Sequence, residues 1–247
     1  MADQDFKAAL LVVDVQEDFC PPNGALAVPD GRSILPTINA LLALPFAVKL
    51  ATKDWHPTDH ISFAANHAGK RAFVDSVTVA NPHKPEEQYT SRLWPVHCVQ
   101  HTGGAALAAG LDTARLDGVV LKGTDARVEM YSAFYAPLGR PRVGDSGLAA
   151  ALREARVSHV YVVGLAADYC VSATALDAAA EGFDTVVVAE GTRPVDARAW
   201  EATRREMLRR GGVRVVGCDG PEVRRVRQLA GPEEEEEEEE EVVVEEE

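Results

Sequence analysis

The feature that most constrains the fold is a series of short, unbroken apolar runs, at residues 9–15, 46–52, 119–122, 160–164, 185–189 and 213–216. They show no polar alternation, so each belongs in a parallel strand that is covered on both faces. Segments with helical apolar spacing lie between several of them, at 33–44, 147–155 and 197–210. This order predicts an α/β fold with a doubly wound, six-stranded parallel sheet flanked by helices, a Rossmann-like three-layer architecture.

A strand-to-helix junction in this series carries a cysteine. The run from Val160 passes a short polar step and reaches Cys170, after which the apolar residues take helical spacing. Cys170 is therefore expected in the first turn of a helix, where free N–H groups and the helix dipole favour a thiolate. The alternative is a buried cysteine that acts only as a small hydrophobe. The residues at other strand ends favour the interpretation of Cys170 as a nucleophile.

Asp14 and Lys122 also close apolar runs. The carboxyl ends of parallel strands meet at one edge of the sheet, so we expect Asp14, Lys122 and Cys170 to lie together there. The carboxylate could then take the thiol proton, the ammonium could stabilise both anions, and the sulfur could attack a carbonyl. Taken singly, Asp14 would also fit a loop cap and Lys122 a solvated strand end.

A second cluster, DWHPTDH, follows the second strand. Residues two apart in an extended segment face the same side, so Asp54 and His56 can point into one pocket. They form half of a metal site, and His97 in WPVHC is the first candidate for a third ligand, with His60 and His101 as alternatives. Two imidazoles and a carboxylate suit one divalent ion, with zinc the first expectation and iron or manganese the alternatives.

Charge is concentrated in the last residues of the chain. The formal net charge is −14, but twelve glutamates lie between Glu233 and Glu247, and the remainder is nearly neutral. We expect one hydrolase domain at 1–230 and a disordered acidic tail at 231–247. A nearly neutral body gives no reason to expect a nucleic acid or membrane partner.

Targeting and cofactor signals narrow the class further. The sequence has no run long enough to span a membrane, no signal peptide and no GxGxxG dinucleotide fingerprint. We expect a cytoplasmic protein with reduced cysteines, and a nuclear or peroxisomal share is compatible with the pattern, as is a homo-oligomer. Residues 61–118 have few periodic runs and predict a long irregular excursion with one helix at 105–109.

Six segments, VVDVQEDF, TKDWHPTDHISF, LWPVHC, VLKG, YSAF and VGLAADYCVSATALDA, resemble in order and spacing the nicotinamidases of the isochorismatase-like cysteine hydrolases. The resemblance covers about residues 8–217, and WPVHC with its preceding segment is most similar to the fungal branch. It implies an isochorismatase-like fold and hydrolysis of nicotinamide to nicotinate and ammonia through a cysteine thioester, as part of NAD salvage. A metal ion would anchor this small substrate.

The resemblance also implies roles for individual residues. The catalytic triad, the metal ligands and the aromatic wall around the ring would be, in that order, Asp14, Lys122, Cys170; Asp54, His56, His97; and Phe19, Trp94, Tyr131. A cis peptide bond would join Ala166, which contacts the substrate, to Ala167. The amides of Ala167 and Cys170 would form the oxyanion hole.

Two rival functions fit parts of the pattern. The first is an amidase of the same fold that acts on another small amide or carbamoyl compound, and the metal ligands argue against it because they suit a ring nitrogen. The second is a catalytically silent binding module. Its signature would be the loss of Asp14, Lys122 or Cys170, and all three are present.

Overall fold

The computed structural model describes residues 6–139 and 142–230. Its eight strands are β1 (Ala8–Val13), β2 (Val48–Asp54), β3 (Ser76–Asn81), β4 (Lys84–Arg92), β5 (Gly118–Lys122), β6 (His159–Leu165), β7 (Asp184–Arg193) and β8 (Arg214–Val216). Six of them form one sheet in the order β5-β2-β1-β6-β7-β8, and every neighbouring pair is parallel. The predicted six-stranded parallel sheet is confirmed.

Helices cover both faces of this sheet. They are α1 (Leu35–Leu42), α2 (Leu148–Glu154), α3 (Ser172–Ala180), α4 (Ala197–Gly211) and α5 (Pro221–Arg227). Successive side chains of a strand point to opposite faces. Leu10 of β1 therefore packs in the cluster with α1 and α5, and Leu11 in the cluster with α2, α3 and α4. Burial on both faces explains why the central strands β1 and β6 lack alternation, whereas Val119 and Leu121 of the edge strand β5 are exposed.

The start of α4 follows the sequence prediction, and its end lies one residue further on. Asp196 is the N-cap, and its side chain accepts a hydrogen bond from the backbone N–H of Arg198 at 2.9 Å. The helix was expected to stop at Gly211, but the residue with the left-handed conformation is Gly212, at φ 65°. Glycine adopts this conformation at little cost, so the chain leaves the helix there.

The long excursion contains an element that the sequence analysis missed. Strands β3 and β4 form an antiparallel two-stranded hairpin, residues 76–92, here called the arm. Strand β4 is largely polar and exposed, and β3 offers only the short alternation of Val77 and Val79, so the arm carries little of the apolar signal that marks a strand. Val79 of the arm is buried in a small separate core with Val128 and Met130, and Val77 and Tyr89 pack against that core.

The helix predicted at 105–109 is wrong. Gly103–Ala105 form a single 3-10 turn, and Leu107 pairs with Gln16 in an isolated β-bridge. The carboxylate of Glu17 accepts the N–H of Ala109 at 2.6 Å, which takes a donor that a helix would need.

No helix in the described ranges has the length and hydropathy needed to cross a membrane. The predicted acidic tail, 231–247, lies outside the described residues, so the division into a domain and a tail stays a prediction.

Candidate active site

The strand-end argument brings three predicted residues together. The Nζ atom of Lys122, at the end of β5, lies 2.9 Å from Asp14 Oδ2 and 3.5 Å from Cys170 Sγ. Asp14 follows β1, and Cys170 follows β6 by a few residues. All three side chains are buried, so the contacts between them are little screened by water.

One carboxylate oxygen of Asp14 accepts a hydrogen bond, and within the described ranges the other has none. Thr52 Oγ1 donates a hydrogen bond to Asp14 Oδ1 at 2.6 Å. Oδ2 lies close to Lys122 Nζ but at an angle outside hydrogen-bond geometry, and it has no other partner among the described residues. Burial raises the pKa of Asp14 to about 6, against the opposing charge of Lys122. Oδ2 can therefore receive a proton from a neighbouring group.

The surroundings of Cys170 differ from the expectation in two respects. It lies in a π-helical turn, Ala167–Val171, that precedes α3, and so it is not in the first turn of the α-helix. Burial raises the pKa of the Cys170 thiol well above its usual value, although Lys122 acts in the opposite direction. Desolvation thus opposes the thiolate that the helix terminus is expected to favour, so a base beside the thiol would help to form it. The resting thiolate stays a prediction.

The cis peptide bond lies one residue earlier than expected, between Leu165 and Ala166. Ala166 lines a cavity together with Cys170, whereas Ala167 is fully buried and does not reach that lining. The resemblance placed the oxyanion amide on the residue after the cis bond, which in this structure is Ala166. The oxyanion hole of Ala167 and Cys170 stays a prediction, and the cavity lining favours Ala166 as the alternative to Ala167.

The three predicted metal ligands converge. Asp54 Oδ2 lies 3.5 Å from His56 Nε2 and 3.9 Å from His97 Nε2. The other oxygen, Oδ1, accepts a hydrogen bond from Lys122 Nζ at 2.6 Å. Burial alone would raise the pKa of Asp54, but Lys122 and the histidines together lower it far below its usual value. Asp54 is therefore an anion that joins the metal ligands to the residues around Cys170.

The tautomers of both histidines suit a metal ion. His56 Nδ1 lies 2.8 Å from Gly123 O, and His97 Nδ1 lies 2.8 Å from Pro95 O. A carbonyl only accepts, so each Nδ1 donates its proton. Each Nε2 then has a lone pair that can bind an ion placed between the two rings and Asp54. His56 Nε2 is buried and has no hydrogen-bond partner in the described residues. This orphaned atom and the donor set fit a divalent ion.

Protonation is consistent with this fit. Burial lowers the pKa of His97 to about 4, helped by the charge of His56, so His97 is neutral at physiological pH. Burial acts the same way on His56, but the carboxylate of Asp54 raises its pKa above the usual value. A proton on Nε2 of His56 is what a metal ion would displace, and metal binding at such a site releases it.

The two alternative ligands are placed elsewhere. His60 stacks on His56 with ring centroids 3.9 Å apart, and its Nε2 donates to Val128 O at 3.1 Å. Its Nδ1 accepts from Ser62 Oγ at 2.8 Å, so both nitrogens are engaged. His101 is exposed. The geometry favours His97 as the third ligand.

A narrow cavity connects these groups. Phe19, Trp94 and Tyr131, the predicted aromatic wall, all line it, as does Ala166. The lining that the sequence analysis did not identify is Leu26, Val28, Glu129, Tyr169 and Val195. Asp54, His97 and Cys170 also face this space, so apolar walls, metal ligands and thiol share one compartment.

Several supporting residues were also missed. Gln16 accepts from the N–H of Asp54 at 2.8 Å and donates to its carbonyl at 2.9 Å, which fixes the end of β2. Gly123 lies so close to His56 that a Cβ would be 2.4 Å from its ring, and its φ is 63°. Gln16 and Gly123 both belong to the quoted motifs, VVDVQEDF and VLKG, so motif position was a usable signal. Glu129 had none.

The comparisons with known proteins agree with this geometry. Residues 8–217 match the sequence profile of the isochorismatase domain. The nicotinamidase of Acinetobacter baylyi is 39% identical over 212 residues, which cover 84% of this chain and 91% of that protein.

Solved structures give the same result. The yeast nicotinamidase bound to the inhibitor nicotinaldehyde has a TM-score of 0.79 at 33% identity, covering 85% of this chain and 99% of that one. The pyrazinamidase of Pyrococcus horikoshii in complex with zinc has a TM-score of 0.64 at 33% identity, with coverages of 85% and 99%. The chain therefore belongs to the isochorismatase family, alongside the nicotinamidases of bacteria and yeast.

Proposed function

We propose that the protein hydrolyses nicotinamide to nicotinate and ammonia, as a step of NAD salvage. One observation carries this proposal: a single apolar cavity with aromatic walls is bordered by both Cys170 and the ligand pair Asp54 and His97. A pyridine ring would fit between the walls, with its nitrogen towards the metal ligands and its carboxamide towards the thiol. The nicotinamidase relatives support the same substrate.

Asp54, His56 and His97 would hold the divalent ion, and we propose zinc, as in the Pyrococcus pyrazinamidase. When bound, such an ion supplies a Lewis-acid anchor for the ring nitrogen. The residues around Cys170 would then do the covalent chemistry. We also propose a reducing compartment such as the cytoplasm, because Cys170 must remain a thiol and all four cysteines are free.

In the first half of the reaction, Asp14 Oδ2 takes the thiol proton and Cys170 Sγ attacks the carboxamide carbon. Lys122, which lies between the two, stabilises the carboxylate and the developing thiolate. The N–H groups of Ala166 and Cys170 are proposed to receive the oxyanion. Asp14 then gives its proton to the leaving nitrogen, and ammonia departs from a thioester.

In the second half, Asp14 accepts a proton from a water molecule, which attacks the thioester carbon. The carbon–sulfur bond breaks, the proton returns to Cys170, and nicotinate is released. One water is consumed for each ammonia formed. The same carboxylate works twice, so its protonation state sets the pH range of the reaction.

We expect kcat/KM to fall about tenfold for each pH unit below about 6. Asp14 must be unprotonated to act as the base, and its raised pKa means that it takes up a proton at a higher pH than an ordinary aspartate. The measurement is the rate of ammonia release between pH 4.5 and 8, with circular dichroism to confirm that the fold persists. A rate that stays constant down to pH 4.5 would contradict the role of Asp14.

The test of the proposed function is ammonia release from nicotinamide, measured with and without a metal chelator. Benzamide is the matched control substrate, because it has the same ring size and carboxamide but no ring nitrogen. We expect turnover of nicotinamide, little turnover of benzamide, and loss of activity after chelation that added zinc restores. Absence of ammonia from the metal-loaded enzyme would reject the function, and equal rates after chelation would remove the metal from it.

A further inference from the structure

Three consecutive loop residues, Glu129, Met130 and Tyr131, contribute to the site in different ways. The carbonyl of Met130 accepts a hydrogen bond from Lys122 Nζ at 3.0 Å. The side chains of Glu129 and Tyr131 line the cavity. These residues lie between β5 and α2, outside any helix or strand. Some other part of the fold must therefore hold them in position.

The arm makes two contacts with this loop, and the first is made by Tyr89 on β4. The Tyr89 hydroxyl donates to Glu129 O at 2.5 Å and accepts from Glu129 N at 2.9 Å. One phenol thus binds both backbone groups of the residue directly before Met130. Burial raises the pKa of Tyr89 above its usual value, so the hydroxyl remains a donor at any working pH.

The second contact comes from Ser91, two residues further along β4 and hence on the same face of the strand. Its Oγ lies 3.2 Å from the hydroxyl of Tyr131. That hydroxyl also accepts a hydrogen bond from Trp94 Nε1 at 2.9 Å. Ser91 therefore contacts one residue of the aromatic wall, Tyr131, which is itself hydrogen-bonded to a second, Trp94.

We propose that the arm is a positioning element for the reaction and that its two contacts have separable effects. Tyr89 holds the Met130 carbonyl and, through it, the ammonium of Lys122; Ser91 holds the aromatic wall through Tyr131. Neither residue lines the cavity, so both act through others. This inference rests on the proposed function.

The two contacts predict different kinetic defects. Lys122 stabilises charge that develops as the thiol reacts, so a displaced Met130 carbonyl should lower kcat. The aromatic wall contacts the ring equally in the ground state and the transition state, so its loosening should raise KM. An arm with a purely structural role would lower the apparent kcat only through the amount of folded protein and would leave KM unchanged, so kcat is compared per folded enzyme.

The experiment compares Tyr89→Phe, Ser91→Ala and Tyr135→Phe in the metal-loaded enzyme. Tyr135 is the matched control: its hydroxyl bonds Glu181 Oε1 at 3.2 Å, and it does not line the cavity. We expect Tyr89→Phe to lower kcat on the order of tenfold with little change in KM. Ser91→Ala should raise KM severalfold with little change in kcat. Tyr135→Phe should change neither.

A second readout does not depend on the substrate. Iodoacetamide alkylates thiolates, so its rate at Cys170, followed by mass spectrometry of the peptide, reports on the support from Lys122. We expect slower alkylation in Tyr89→Phe and unchanged alkylation in Tyr135→Phe. If nicotinamide were the wrong substrate, wild-type protein would release no ammonia, yet this comparison would still test the arm.

Incorporation of 4-aminophenylalanine at position 89 supplies a polar group at the same ring position and should restore part of kcat. Thermal melting of each variant identifies any loss of fold. Equal behaviour of Tyr89→Phe and Tyr135→Phe in kcat and in alkylation would overturn the role of Tyr89. Unchanged KM in Ser91→Ala would overturn the role of Ser91.

Discussion

Replacing Cys170 with alanine is expected to abolish turnover of nicotinamide while the protein stays folded. Without the sulfur no thioester can form, and the expected loss in kcat is on the order of 10³-fold or more, about 4 kcal/mol of transition-state stabilisation. The side chain is small and borders a cavity, so its removal should disturb the packing little. Ammonia release measures the effect, and circular dichroism measures the fold.

The matched control is Cys218→Ala. Cys218 is a partly exposed cysteine that follows the edge strand β8, and it does not line the cavity. The backbone N–H of Cys218 donates a hydrogen bond to the carboxylate of Glu190, a contact that alanine keeps. The control should therefore retain wild-type activity. Substantial turnover by Cys170→Ala would end the interpretation of the protein as a cysteine hydrolase.

Replacing His97 with alanine is expected to remove the metal ion and, with it, most of the activity. Purified wild-type protein should carry about one divalent ion per chain, because three ligands from two loops already converge. Loss of one imidazole leaves only Asp54 and His56, too few for stable binding. Elemental analysis by mass spectrometry measures the metal content, and the ammonia assay measures the activity.

His101→Ala is the control for this variant, since the ring is exposed and packs edge-on against Trp55. It should keep both metal and activity. Equal metal content in His97→Ala and wild type would mean that another residue completes the site. His60, which stacks on His56, would then be the first residue to examine, with a change in its hydrogen bonds to Ser62 and Val128.

Most of the candidate site could be predicted because its residues stand at the ends of apolar runs or at a regular spacing, and both can be recognised in the sequence. Asp14, Lys122 and Cys170 follow apolar runs, and a parallel sheet places the ends of such runs at one edge. Asp54 and His56 are two residues apart on an extended segment, which puts them on one face. These are rules of local geometry, and the structure follows them.

The arm could not be predicted in the same way. Strand β4 carries lysine, glutamate and glutamine and is largely exposed, so it shows no apolar period, and the alternation of Val77 and Val79 in β3 spans only a few residues. Tyr89 and Ser91 gain their significance only from contacts with residues about forty positions away in the chain. No spacing rule connects residues at that separation.

The burial of the Cys170 thiol, which raises its pKa, likewise depended on the tertiary structure. The sequence by itself determined the parallel sheet, the edge at which Asp14, Lys122 and Cys170 meet, and the shared face of Asp54 and His56, since these follow from patterns of neighbouring residues. Only the tertiary structure decided that burial raises the pKa of the Cys170 thiol, that Ala166 and not Ala167 lines the cavity, and that Tyr89 of the arm contacts the loop after β5. The reason is that desolvation and packing depend on every residue surrounding a group, and most of those neighbours are distant in sequence.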